Sequence, residues 1–124
     1  MTDLLLDTTV VIDFLRGNKK AANYLAHLVT PTISIITEAE IYQGAKNKSD
    51  IKTWEKFLIR FKIIPITAEI SRLAIKLLKK YRLSHGLHIL DALIAAIAIE
   101  NSLALVTENT KHFSYIKDLK VISR

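Results

Sequence analysis

Three carboxylates, Asp7, Glu40 and Asp91, each sit where an apolar β-like run gives way to a helical pattern or just inside a helix start. Each has an ordinary structural reading. Asp7 suits a helix cap. Glu40 fits the return half of a capping box in Thr37-Glu38-Ala39-Glu40. Asp91 suits the positive end of a helix dipole. That reading is weakest for Asp91, whose helix is apolar nearly all round, because a buried, unpaired carboxylate is costly. A cation is therefore expected beside it. Carboxylates gathered at one point repel one another, and a divalent cation removes the penalty. An all-oxygen donor set indicates Mg²⁺ or Mn²⁺ rather than zinc. Joined to a basic flank, such a cluster implies phosphodiester hydrolysis, in which the cation would activate water and stabilise the departing oxygen.

The basic flank is visible in the charge distribution. The 124 residues carry 18 Lys and Arg against 12 Asp and Glu, a net charge of +6. Eleven of the basic residues fall between Ala45 and Arg82, with only Asp50, Glu55 and Glu69 against them. Solvated helix faces account for many such runs. Here the segment from Lys46 to Arg82 is also expected to supply part of a track for a polyanion. The length fits one domain spanning 1–124, and half of the residues are apolar, enough for a core. The absence of cysteine excludes disulfides, thiolate metal sites and cysteine nucleophiles. The longest apolar stretch, Ile89 to Ile99, is interrupted by Asp91 and too short to span a bilayer. The N-terminal MTDLLLDTTVVID lacks a basic leader region. A cytoplasmic protein without membrane association is expected.

The elements that must position these groups alternate. Leu4–Leu6 reads as a buried strand, followed by a helix capped by Thr8 or Thr9 and closed at Gly17. Lys20 to Leu28 reads as a helix and Thr32 to Ile36 as a strand. Thr37 then opens a helix ending near Gly44, which places Glu40 in a first turn. Asp50 to Phe61 is helical, Ile63 to Ile66 is a short strand, and Pro65 marks a strand end or edge. From Thr67 the apolar residues Ile70, Leu73, Ala74, Leu77, Leu78 and Tyr81 trace one helical face. His88 to Glu100 is a central helix, Leu103–Val106 a strand, and Lys120 to Ile122 a last short strand. Strands alternating with long helices predict an α/β fold with a short, mainly parallel sheet covered by helices on both faces. Sites in such sheets lie beyond the carboxyl ends of the strands. Asp7, Glu40, Asp91 and the segment Thr107-Glu108-Asn109 could all converge there.

In this order and over this length, three blocks resemble the PIN-domain ribonucleases, specifically the VapC-like toxins of type II toxin–antitoxin modules. They are LLLDTTVVIDFLRG (Leu4 to Gly17), SIITEAEIYQGA (Ser34 to Ala45) and ILDALIAAIAIENSLALVTENTKHF (Ile89 to Phe113). The resemblance implies a PIN-like three-layer fold, with Asp7, Glu40 and Asp91 as the acidic metal ligands. It also implies a metal-dependent endoribonuclease that leaves a 5′-phosphate and a 3′-hydroxyl. Thr107 and Asn109 are expected to orient a water at the cation or a carboxylate. Asn109 stands where the family often has an acid, and His112 where another acid can occur. That leaves three firm carboxylates, with Glu108 either in solvent or a substitute acid. The implied partners are an RNA substrate, a small cognate antitoxin covering the site, and a second copy in a homodimer within a larger assembly. Operator DNA is implied only through the antitoxin. The alternative is a catalytically silent PIN-like module that binds RNA or protein. Three costly like charges argue against it.

Other readings fare worse. His85, His88 and Asp91 span too much helix for a zinc site and lack further ligands. The three glycines form no phosphate-binding loop. Asp7-Thr8-Thr9 lacks the second Asp of a dehalogenase-like phosphatase, and Ile63–Thr67 lacks the acid of a receiver domain. Asp13 reads as structural; Arg16 could contact substrate or antitoxin, with a solvated helix end as its ordinary reading.

Overall fold

A computed structural model describes residues 3–124; residues 1 and 2 of the expected domain lie outside it. Among the described residues, five short strands and six helices follow in the order β1 (Leu4–Leu6), α1 (Thr8–Leu15), α2 (Lys19–Ala26), β2 (Thr32–Ser34), α3 (Ile35–Gln43), α4 (Lys48–Leu58), β3 (Lys62–Ile64), α5 (Ala68–His85), α6 (Ile89–Glu100), β4 (Ala104–Thr107) and β5 (Val121–Ser123). A 3₁₀ turn, Thr110–His112, follows β4.

All strand pairing is parallel, but it comes in two pieces. β1, β4 and β5 form one ladder in the order β1-β4-β5; β2 and β3 form another. β2 packs beside β1 without a shared ladder. Strands of three residues offer few ladder bonds, and side-chain packing joins the two pieces instead.

The period-2 alternation of the strands sorts the core into two halves. Leu5 and Leu105 face one another in the register and join Ile70, Leu77, Ala95 and Ile97 of α5 and α6. Their neighbours Leu6 and Val106 point the other way, into Val10, Val11, Leu25 and Leu58 of α1, α2 and α4. α3 straddles the divide, sending Ile36 to the first cluster and Ile41 to the second. The result is three layers, helix on sheet on helix, as the apolar pattern predicts.

Two boundaries differ from expectation in ways that matter for the site. α1 begins with Asp7, not Thr8 or Thr9, at its cap position. α3 begins at Ile35, capped by the Ser34 hydroxyl, which accepts from the Thr37 amide. Ser34 therefore takes the capping role assigned to Thr37, and Glu40 lies in the second turn. There is no Thr37–Glu40 capping box. The run Thr32 to Ile36 reads as strand because it is rich in β-branched residues, yet a helix can start on such residues once a cap and a core demand it.

Candidate metal centre

The carboxyl ends of β1, β2 and β4 and the N-terminal end of α6 frame a cleft of about 340 Å³. Asp7, Glu40, Asp91, Glu108 and Asn109 all line it, with Thr8, Thr9, Ile94, His112 and Phe113.

Asp7 follows β1, and its amide donates to the Val106 carbonyl at 2.8 Å, continuing the β1–β4 ladder. Its side chain makes no cap bond to α1. Instead Oδ2 accepts the Thr107 hydroxyl at 2.7 Å and the Thr9 hydroxyl at 3.1 Å. The capping reading of Asp7 thus fails: its carboxylate is held by threonines and turned to the cleft. Thr107 is fully buried at the end of β4, and its oxygen also accepts the Asn109 amide at 3.0 Å. Asn109 is exposed beside it.

Glu40 is held from α1. The Thr8 hydroxyl donates to Glu40 Oε1 at 2.7 Å, and Thr37 Oγ1 lies 2.8 Å from Thr8 Oγ1. A hydroxyl has one proton to give. With that of Thr8 committed to Glu40, Thr37 must donate to Thr8. Ser34 Oγ in turn donates to Thr37 at 3.4 Å. The hydroxyl chain Ser34→Thr37→Thr8 therefore ends on a carboxylate acceptor, the arrangement an ionised Glu40 requires.

Asp91 sits in the first turn of α6 and is half-buried. Burial pushes its carboxyl above the ordinary range, and the charges of Asp7 and Glu40 push it further; His112 and His88 oppose this. His112 Nδ1 lies 3.8 Å from Asp91 Oδ2, the cationic neighbour that the apolar helix called for, when it is protonated. Asp91 thus senses the other two acids across the cleft.

The donor set fits a hard divalent cation. The three acids offer only oxygens, and they line a cleft roomy enough for water, with the His112 imidazole beside Asp91. Among the described residues, no three His, Asp or Glu side chains stand close enough together to hold an ion as they are placed. Mg²⁺ keeps several waters and takes few protein ligands. Asp7, Glu40 and Asp91 are the residues that would hold it.

The PIN domain family model matches residues 4–119. The chain belongs to the PIN-domain family. Its relatives include ribonuclease VapC19 of Mycobacterium tuberculosis (strain H37Rv), 35% identical over 121 residues, 94% of this chain and 96% of that protein. A toxin–antitoxin complex from Klebsiella pneumoniae contains a chain that superposes with a TM-score of 0.81 at 33% identity, covering 97% of this chain and 96% of that one. VapBC2 from Rickettsia felis, bound to a DNA fragment from its promoter, gives 0.81 at 27% identity and 98% coverage of both chains. Among PIN domains, the chain falls with those of VapC type.

The PIN fold brings Asp7, Glu40, Asp91 and Asn109 to one cleft, whereas Thr107, expected there from its sequence position, is buried behind Asp7 and does not line it. It also brings Arg16, read as a solvated helix end, to the cleft lining. Glu108 lines the cleft too, but its carboxylate is tied to Arg124. The zinc reading finds no geometry: the His85 ring stacks on Tyr115, with centroids 4.1 Å apart, and His88 is exposed at the α6 cap. The sequence reading missed Thr8 and Thr9 as holders of carboxylates, and Thr37 as the support of Thr8, because hydroxyl residues at strand ends read first as caps. It missed Arg124 because nothing local links it to Asp13, 111 positions away.

The basic segment is divided by the fold. All eleven of its Lys and Arg side chains are exposed, and among the described residues none pairs with a carboxylate. Arg72, Lys76 and Lys79 line a groove with Glu69 and Glu100. Glu100 ends α6 and Asp91 lies in its first turn, so that groove's far edge lies about 14 Å along the helix from the site. Lys80 and Arg82 lie toward the end of α5 that leads into α6.

Proposed function

We propose that this PIN domain, spanning residues 1–124, is a metal-dependent endoribonuclease toxin held in check by a small cognate antitoxin. The observation that carries the reading is the convergence of Asp7, Glu40 and Asp91 on one cleft, with Asp91 sensing the charges of the other two. The VapC relatives are named ribonucleases, and the similar solved chain from Klebsiella sits in a toxin–antitoxin complex. Both support it.

Asp7, Glu40 and Asp91 hold Mg²⁺ or Mn²⁺. When bound, the cation supplies Lewis acidity to the phosphodiester and lowers the pKa of the attacking water. The chain's own residues prepare the site. Threonine hydroxyls fix one oxygen each of Asp7 and Glu40, leaving the other oxygens free to face the cleft. Asn109, beside Thr107, orients the attacking water or a carboxylate. Water attacks phosphorus, the bond to the 3′ oxygen breaks, and that oxygen takes a proton, leaving a 5′-phosphate and a 3′-hydroxyl. Exposed lysines and arginines of α4 and α5 hold the RNA backbone on either side.

The antitoxin covers the cleft, and its basic side chains exploit the same negative charge. Two copies of the chain form a homodimer within a larger assembly, which reaches operator DNA through the antitoxin. No described helix is long and apolar enough to cross a membrane, and the setting we propose is cytoplasmic.

The test is incubation of the purified, antitoxin-free chain with total cellular RNA. Discrete fragments with Mg²⁺ or Mn²⁺, and none with EDTA, are expected. Intact RNA in every lane, from folded protein offered a full RNA pool, would contradict the reading and favour a silent binding module.

A further inference from the structure

Arg124 follows β5, beyond the residues matched by the family model. Its side chain is only 8% exposed. One guanidinium nitrogen, Nη2, reaches both Asp13 Oδ2 of α1, at 3.0 Å, and Glu108 Oε1 of the segment after β4. Its backbone amide donates to the Thr107 carbonyl at 3.4 Å. Its Nε is buried and has no partner.

The arrangement is expensive for a purely stabilising one. Burying a guanidinium with an unsatisfied nitrogen costs free energy, and an apolar residue of similar volume often serves stability equally well. What the charge does accomplish is geometric. Asp13 and Glu108 both line the cleft. Tied together, they pin the segment Thr107-Glu108-Asn109 against α1. Every residue of that segment bears on Asp7 or its holders. Thr107 donates to Asp7, the Glu108 amide donates to Thr9, which also donates to Asp7, and the Asn109 amide rests on Thr107.

We propose that Arg124 is a positioning residue of the cleft: by clamping Asp13 to Glu108 it fixes the Thr107–Asn109 segment over Asp7 and keeps Glu108 out of the set that holds the cation. The role deepens the nuclease reading and rests on it. Arg124 touches neither Asp7, Glu40 nor Asp91. It acts through the segment that it holds.

The experiment compares wild type with Arg124→Met and Arg124→Lys. It reads amide hydrogen exchange at Glu108 and Asn109, and RNA cleavage at saturating Mn²⁺. In folded Arg124→Met, exchange at both amides quickens and the cleavage rate falls about tenfold, the scale of a small misplacement, while KM for RNA barely moves. Arg124→Lys restores most of the rate and the slow exchange, because a single nitrogen makes both contacts. Wild-type exchange and rate in Arg124→Met would overturn the proposal. So would slow exchange in Arg124→Lys together with the full loss of rate, since Arg124 would then act elsewhere. If Arg124→Met does not fold, Glu108→Gln opens the clamp from its more exposed end, leaves Arg124 on Asp13, and is judged by the same two readouts. If wild type cleaves no RNA, the nuclease reading fails on that result, while the exchange measurement alone still decides whether Arg124 clamps the segment.

Discussion

Thr8 of α1 donates its hydroxyl to Glu40 of α3 across 2.7 Å and 32 positions of sequence. The bond ends the chain of hydroxyls from Ser34 and Thr37, and it fixes which carboxylate oxygen of Glu40 remains free. Thr8→Val keeps the shape and removes the donor. The Thr37 hydroxyl then loses its acceptor and Glu40 its holder. The expected cost is about 1–2 kcal/mol in urea denaturation, toward the low end for a bond to a charged group because Glu40 stays partly open to water. Mn²⁺ affinity, measured by calorimetry, falls about tenfold, the equivalent of about 1.4 kcal/mol. Unchanged affinity would mean that Glu40 does not depend on Thr8.

Thr107→Val removes one of two hydroxyls on Asp7 and the acceptor of the Asn109 amide. Thr107 and Asp7 are buried, so the loss of the hydroxyl bond to the Asp7 carboxylate costs about 1–3 kcal/mol, while water can take up the amide of exposed Asn109. RNA cleavage falls more than stability does, because Asp7 is only partly held by the remaining Thr9 bond. Thermal melting and cleavage rate, measured on one preparation, separate the two effects.

Asp91 sets function against stability. Its folded pKa lies above its ordinary value, first through burial and then through Asp7. A carboxyl shifted this way favours folding when protonated. Its contribution is fully present below the ordinary carboxylate range and is lost as pH rises through the folded value. Ionised Asp91 therefore destabilises the metal-free protein at neutral pH. In EDTA, Asp91→Asn is expected to melt at a higher temperature than wild type at pH 7, with the gap closing as the pH falls below that range. Adding Mn²⁺ reverses the order, since ligand binding to the folded state stabilises wild type alone. A variant that melts lower than wild type in EDTA at pH 7 would contradict the assignment.

The divided basic surface predicts graded effects on RNA. Charge reversal at Lys80 and Arg82, toward the end of α5 that leads to the site, weakens binding of a single-stranded oligoribonucleotide to uncleaving Asp91→Asn protein. It also lowers the salt slope by about 0.7 for each phosphate that is no longer neutralised. Reversal at Arg72 and Lys76, toward the far end, has a smaller effect on a short oligonucleotide. Equal effects from both groups would show a track that runs the length of α5.

The parts of the fold visible in the sequence were those carried by local pattern. The apolar face from Ile70 to Tyr81 gave α5, which starts after Thr67, whose hydroxyl caps it. The near-uniform apolarity of Ile89 to Ile99 placed α6 in the core. Asp7, Glu40 and Asp91 could be singled out because carboxylates at element ends are conspicuous against apolar runs. What holds them was not visible. Thr8 and Thr37 have the residue types of caps, and their meeting depends on how α1 packs on α3. The start of α3 at Ile35 was hidden by a β-branched run that local propensity assigns to strand. Arg124 meets Asp13 and Glu108 only once β5 has paired with β4, a long-range event that no local pattern records.

The central claim is that Asp7, Glu40 and Asp91 together hold a divalent cation. Titration of the purified chain with Mn²⁺ at pH 7, followed by the loss of the free-ion paramagnetic resonance signal, tests it most directly, with Asp7→Asn, Glu40→Gln and Asp91→Asn proteins of verified fold alongside. Saturable binding by wild type and at least about tenfold weaker binding by each variant is the predicted result. Equal binding by wild type and all three variants, or no binding by any, would contradict it.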